Sequence, residues 1–365
     1  MRYFRLPSIG ADGFPAIEDP PERIVEDGLI RCGLFKSPVP KMNLLESNAL
    51  DRSATSKLSL PPLLEWVGVG MVHPDWFFGL IIVNAQIASL GVLYGYCRRN
   101  GDYFSEDLLG ARTWVHVAES CWNDTTSLHT SGYNMEIDHN LEQGFHKVDI
   151  DISGSKGSRT KPPVCANLTW HENLAKVQPM VSMSPGQGNG FTYTHKSPMP
   201  TEGTMKIGEE TITFDSRRDM TLFEEIKIAA GSDSMFKTKW NMFGGGGFDD
   251  RGTVIALATV AGPQKPKLEW SENCLWVGNT LTHIGPVDYE VDPEDIMKPW
   301  HVKDRDGRLD ITVRPEGGKT IDMRPVLGVY HQKCGAFSGT LVDASGQRHE
   351  VKDFYGAGEY ATVHS

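Results

Sequence analysis

The chain lacks the signatures of most cofactor and metal enzymes. No Gly-x-Gly-x-x-Gly follows a strand-like run, and no Gly-x-x-x-x-Gly-Lys-Ser/Thr, His-Glu-x-x-His or Gly-x-Ser-x-Gly occurs. Those motifs cradle phosphates, ligate zinc or expose a nucleophile, so the expectation is no cofactor. The 12 histidines show no ligand spacing, and the expectation is no metal. His116 and Glu119 are three apart, which puts them on opposite faces of a strand. No Cys-x-x-Cys pair is present, and the six cysteines read as free, mostly buried thiols of a reducing compartment.

Long apolar runs are also missing. The most apolar stretch, Trp76 to Tyr96, is broken by Asn84, Gln86 and three glycines. It falls short of a membrane-spanning helix and reads as two buried strands. The start, Met1-Arg-Tyr-Phe-Arg-Leu-Pro-Ser8, has charge without an apolar core, so no secretory signal is expected and a cytoplasmic location is. Basic excess is absent: net charge is −11. That disfavours nucleic acid and anionic membrane surfaces as partners.

Short strands punctuated by turns are what the sequence does contain. Gly 38 and Pro 22 are spread along the chain. Helical periodicity beyond about two turns is confined to Pro293 to Lys298. Strand candidates recur at roughly ten to fifteen residues, the texture of an all-β sandwich or barrel. The predicted organisation is a wrapping segment over residues 1–60, a first β domain over 61–190 and a second over 191–365. Ser184-Pro-Gly-Gln-Gly-Asn-Gly190 is the expected linker, and Asp306-Gly307 and Ala344-Ser-Gly346 are expected hairpin turns.

The segment Thr192 to Val260 holds the densest mix of ionisable and aromatic residues. Phe236 to Phe243 alternates at period two, and Thr253 to Val260 reads as its returning strand. The sequence predicts a sharp reversal from Gly244 through Gly252. Phe236, Trp240 and Met242 share a face expected to line a pocket. Asp219, Glu224 and Glu225 are the candidate proton donors or acceptors, with Tyr193 and His195 in reserve. A carboxyl or imidazole in an apolar cavity has a shifted pKa and can move protons on an alkene or carbonyl. An aromatic wall stabilises developing positive charge. In the first half, the run Arg112 to Cys121 and Trp122 reads as a strand that places Trp114, His116 and Trp122 on one cavity-lining face, with Trp76 nearby. His73-Pro-Asp-Trp76 reads as a capped turn, with His73 and Asp75 at a pocket mouth as the alternative.

Several stretches are similar to a known family. They are Trp300 with Asp306-Gly-Arg-Leu-Asp-Ile-Thr-Val-Arg-Pro315, Cys334-Gly-Ala-Phe-Ser-Gly-Thr-Leu-Val-Asp343 and Phe354-Tyr-Gly-Ala-Gly-Glu359. Lys196, Asp219 and Trp240 fit the same pattern. The chain resembles the lipocalin-like family catalogued as domain of unknown function 2804. After Asp219, where that family often has Arg-Gly, Met220-Thr-Leu-Phe stands here. Wider relatives are carotenoid hydratases and fungal cyclases and Diels–Alderases. The resemblance implies two fused lipocalin-like (calycin) antiparallel β-barrels with a pocket in or between them. It also implies a cofactor-independent enzyme for hydration, elimination, isomerisation or cyclisation of a hydrophobic small molecule, such as a terpenoid or polyketide. The alternative is a non-catalytic binding or carrier protein. A monomer or homodimer is expected.

Overall fold

The computed structural model describes residues 3–10, 13–50, 63–186, 188–229, 239–262, 272–323 and 328–363. Two large, curved, antiparallel sheets dominate, with single 3-10 turns and no α-helix among these residues. The all-β expectation is met, and Pro293 to Lys298 forms turns rather than a helix. No helix among the described residues is long and apolar enough to cross a membrane.

The first sheet runs in the order Val115–His116, Asp124–Thr130, Tyr133–Asn140, Phe145–Ile152, Val164–His171, Phe191–Ile207, Met220–Ala229, Leu64–Val72, Trp76–Asn84, Ala88–Cys97 and Tyr103–Ala111. Its two edge strands follow one another in the chain, joined by the 3-10 turn Arg112–Trp114, so the sheet nearly closes into a barrel. Phe78, Ile137 and Phe223 fill its interior. Each such buried side chain contributes ~1.5–3 kcal/mol. The predicted strand Arg112 to Trp122 is not formed; only Val115–His116 is extended and paired. The reason is Gly110: the Trp114 ring folds back onto the space a Cβ would occupy there, which turns the chain.

The second sheet runs Thr280–His283, Cys274–Val277, Val254–Ala261, Lys239–Phe248, Arg348–Val363, Gly328–Val342, Leu309–Met323, Trp300–Asp304 and Val287–Glu290. It curls into a half-barrel around Phe243, Leu257, Trp300 and Phe337. Strands up to Ala229 belong to the first sheet and those from Lys239 to the second. The reason is that Phe191–Ile207 and Met220–Ala229 pair with each other and with the first sheet. The chain before residue 51 contributes a three-stranded sheet and the strand Gly33–Phe35, which pairs with Met180–Pro185 beside the first barrel.

The central hairpin forms as expected between Lys239–Phe248 and Val254–Ala261. Its reversal is shorter than predicted, because Gly244 to Gly247 lie within the strand. The turn itself is Asp249 to Gly252, where Asp249 Oδ1 accepts from the amides of Arg251 and Thr253. The glycines serve packing. A Cβ on Gly245 would stand 2.6 Å from the Tyr355 carbonyl oxygen, and one on Gly244 would strike Leu222 of the first sheet. Bare backbone here lets the two sheets approach. The predicted turns at Gly307 and Gly346 are present, each with positive φ. All six cysteines are free, with only Cys165 exposed.

Candidate functional site

Two neighbouring strands set the site. Phe191–Ile207 and Met220–Ala229 pair with His195 opposite Glu225 and Lys196 opposite Glu224. Side chains alternate between faces along a strand. His195 and Glu225 therefore enter the nearly closed barrel, where His195 packs against Phe223. Lys196 and Glu224 face the second sheet.

Inside the barrel a polar ring is enclosed in apolar walls. Thr126 Oγ1 accepts from the Ala118 amide and lies 3.0 Å from His139 Nε2. His139 Nδ1 is 3.0 Å from His146 Nδ1, and His146 Nε2 is 2.9 Å from Glu172 Oε2. Glu172 Oε1 is 2.8 Å from His195 Nε2, and His195 Nδ1 is 3.7 Å from Glu225 Oε2. The Cys121 thiol donates to Glu225 Oε2 at 3.1 Å. Lys227 pairs with Glu225 at 3.2 Å and with Glu65, and donates to the Ala118 carbonyl at 2.7 Å, closing the ring where it began. Burial alone would depress the His195 pKa, but Glu172 and Glu225 hold it up at about 9. Burial would raise Glu225, yet Lys227 and His195 bring it down to about 2. Burial and the neighbouring His146 keep His139 neutral, well below the ordinary histidine range.

Between the sheets the second cluster is more accessible. Lys196 Nζ lies 3.0 Å from Glu224 Oε2 and 3.0 Å from Glu272 Oε2. Burial would lower the Lys196 pKa, but the two carboxylates raise it, so its charge is fixed. Trp66 Nε1 donates to Glu224 Oε1 at 3.3 Å. Across the gap, the Glu359 carboxyl accepts from Tyr330 Oη at 2.6 Å, Trp240 Nε1 at 2.9 Å and Gln332 Nε2 at 3.0 Å. Burial raises the Glu359 pKa, the charge of Glu224 adds to that, and the three donors only partly oppose it. The Tyr94 hydroxyl nearby has no hydrogen-bond partner, and its pKa is raised first by burial, with Cys334, Tyr103 and lastly Glu359 adding to it. One carboxylate is therefore ion-paired and a second carboxyl is held toward its neutral form, the division of labour that proton-transfer catalysis needs.

The residues singled out from sequence are dispersed. Glu225, His195 and Tyr193 are fully enclosed on the barrel side, whereas Glu224, Trp240 and Met242 belong to the layer between the sheets. Met242 sits directly opposite Glu359 on the neighbouring strand. Asp219, expected as a proton donor or acceptor, stands in a loop clamp. Its carboxylate takes both Arg218 Nε and Nη2 at 2.8 Å and the Asp215 amide at 2.8 Å. Five strand positions, roughly 17 Å, separate it from Glu224. Trp76 is buried in the barrel core. Trp114, His116 and Trp122 do not form a cavity wall: Trp114 and His116 are exposed, and Trp122 Nε1 donates to the Pro38 carbonyl. The missing strand explains this. Phe236 lies outside the described residues. His73 accepts the Asp75 amide on Nδ1, the capped turn expected.

Glu359, Tyr330 and Gln332 were not singled out as site residues, nor were Glu172, His139 and His146. Glu359 stands in a run of glycines and aromatics, and only its period-two alignment with Met242 could have flagged it. Beside this cluster, across the Lys239–Phe248 strand, an open cleft of about 330 Å³ is lined by residues including Lys239, Asn241, Asp288 and Tyr289.

The family model described as Domain of unknown function (DUF2804) matches residues 16–364. No curated protein matches the sequence. Among solved structures, kievitone hydratase from Nectria haematococca superposes with a TM-score of 0.50 at 10% identity, covering 82% of this chain and 88% of that one. A structure of CghA with Sch210972 gives 0.55 at 10% identity, covering 83% and 88%. A second CghA structure gives 0.56 at 10% identity, covering 83% and 89%. These likenesses establish the two-barrel, lipocalin-like fold.

Proposed function

The chain belongs to the domain of unknown function 2804 family, and we propose that it is a cofactor-independent acid–base enzyme acting on a hydrophobic small molecule between its two sheets. The reaction class is hydration or its reverse, isomerisation, or cyclisation. The observation that carries the reading is Glu359, a carboxyl raised above its ordinary pKa by burial and anchored by Tyr330, Trp240 and Gln332. In this reading Glu359 gives its proton to an alkene or carbonyl. The Trp240 and Trp66 rings flank the cation that forms. Glu224, paired with Lys196, takes the proton from the attacking water or from the adjacent carbon. The charge on the two carboxyls is then restored by proton exchange with solvent. A hydratase among the proteins of this fold supports the same chemistry.

The test is a panel of prenylated and polyketide-like alkenes and enones, incubated with the protein in deuterated or oxygen-18 water without nucleotide. Support is a product carrying solvent deuterium, or one water heavier or lighter. Tight binding of such compounds with no isotope entering any of them would instead make the protein a carrier.

A further inference from the structure

We propose that Cys121, His195 and Glu225 form a site for one divalent transition metal ion, zinc in the first instance, inside the nearly closed barrel. This site is separate from the inter-sheet cluster, since His195 and Glu225 point to the opposite face of the strands that carry Lys196 and Glu224.

The donor atoms are already gathered. Cys121 Sγ is 3.1 Å and His195 Nδ1 is 3.7 Å from Glu225 Oε2, and all three lie within 4.8 Å of one another. At zinc bond lengths, tetrahedral neighbours stand roughly 3.3–3.6 Å apart, so small side-chain shifts suffice. A second observation points at a ligand: His195 is completely buried, yet its Nδ1 makes no hydrogen bond and has only the 3.7 Å ion-pair contact to Glu225 Oε2. Its other nitrogen is fixed on Glu172 Oε1, and Glu172 is held in turn by His146. A carboxylate behind the imidazole is how proteins orient metal-bound histidines. Thiolate, imidazole and carboxylate together suit zinc, and three protein ligands leave a fourth position open.

The charge balances. One divalent ion displaces the thiol proton of Cys121 and any proton on His195 Nδ1, and these leave to solvent. Glu225 binds as the carboxylate it already is, and Lys227 keeps its partner Glu65. No oxidation or reduction is involved. The ligands come from the segment after Val115–His116 and from two separate strands, which is why no spacing in the sequence announces them. The ion would fasten the Cys121 segment to the barrel wall.

Chelator-stripped full-length protein is titrated with cobalt(II) and then zinc(II). The expected result is one equivalent bound, a thiolate-to-cobalt charge-transfer band, proton release on binding and a higher melting temperature. Cys121→Ser abolishes the band and weakens zinc binding by roughly 100-fold. Cys165→Ser, at the exposed thiol, leaves both intact. Absence of stoichiometric binding, or a band that survives Cys121→Ser, overturns the site. If the Cys121 variant does not fold, X-ray absorption of the zinc-loaded wild type decides: one sulfur in the coordination shell supports the site, and none overturns it.

Discussion

Glu224 and Glu225 are adjacent in sequence and serve opposite faces of one strand. Glu224 Oε2 meets Lys196 Nζ at 3.0 Å between the sheets, and Glu225 Oε2 meets Cys121 Sγ at 3.1 Å inside the barrel. Period-two geometry alone makes this separation, and it divides the ionisable groups into a set between the sheets and a set enclosed in the barrel.

The enclosed set should matter for stability. Glu172 lies between His146 and His195 with no solvent exposure of its side chain. Glu172→Gln leaves two histidines without their carboxylate, and breaking a buried pair from one side costs about 3–5 kcal/mol. Urea denaturation checks this, and a loss below about 1 kcal/mol would count against the ring as a structural unit.

Asp219 should behave as a clamp. Asp219→Asn keeps the shape but weakens two charge-assisted bonds to Arg218, so stability should fall by about 1–3 kcal/mol. Turnover of any identified substrate should stay within about threefold of wild type. A loss of about 10²-fold in turnover with stability intact would return Asp219 to the chemistry.

The glycine run should be intolerant. Gly245→Ala places a Cβ 2.6 Å from the Tyr355 carbonyl oxygen and 2.7 Å from Gly356 Cα, both backbone atoms that cannot move aside alone. The expected cost is above about 2 kcal/mol. At Gly252, where a Cβ meets nothing within 4 Å, the cost of alanine comes only from the positive φ and should be smaller.

Much of the fold is legible in sequence, because strand alternation and Asp-Gly turns are local signals. The hairpin of Lys239–Phe248 with Val254–Ala261 is an example. The four glycines misled because their cause is distant: Leu222, Tyr355 and Ala256 press on them from three other strands. The partners of Asp219, Arg218 and Asp215, are by contrast local in the chain. Glu359 was hidden because its three donors come from two other strands, and nothing near it in the chain reports burial.

The Glu359 proton should be visible in pH dependence. Its folded-state pKa is raised, so the native protein holds this proton more tightly than the unfolded chain. Its stabilising contribution is present below the unfolded value of 4.5 and is lost as pH rises through the folded value. Denaturation of wild type and Glu359→Gln across that window should show the wild type losing stability relative to the variant as pH rises. Equal slopes would mean that the carboxyl is not held neutral.

Whether Glu359 is the proton donor is decided most directly by turnover of Glu359→Gln, measured beside ligand binding and thermal melting. Removing a general acid while keeping its shape should lower turnover by about 10²-fold or more, with binding and melting close to wild type. Turnover that survives the substitution, or that disappears only together with the fold, would contradict the assignment of the chemistry to the layer between the sheets.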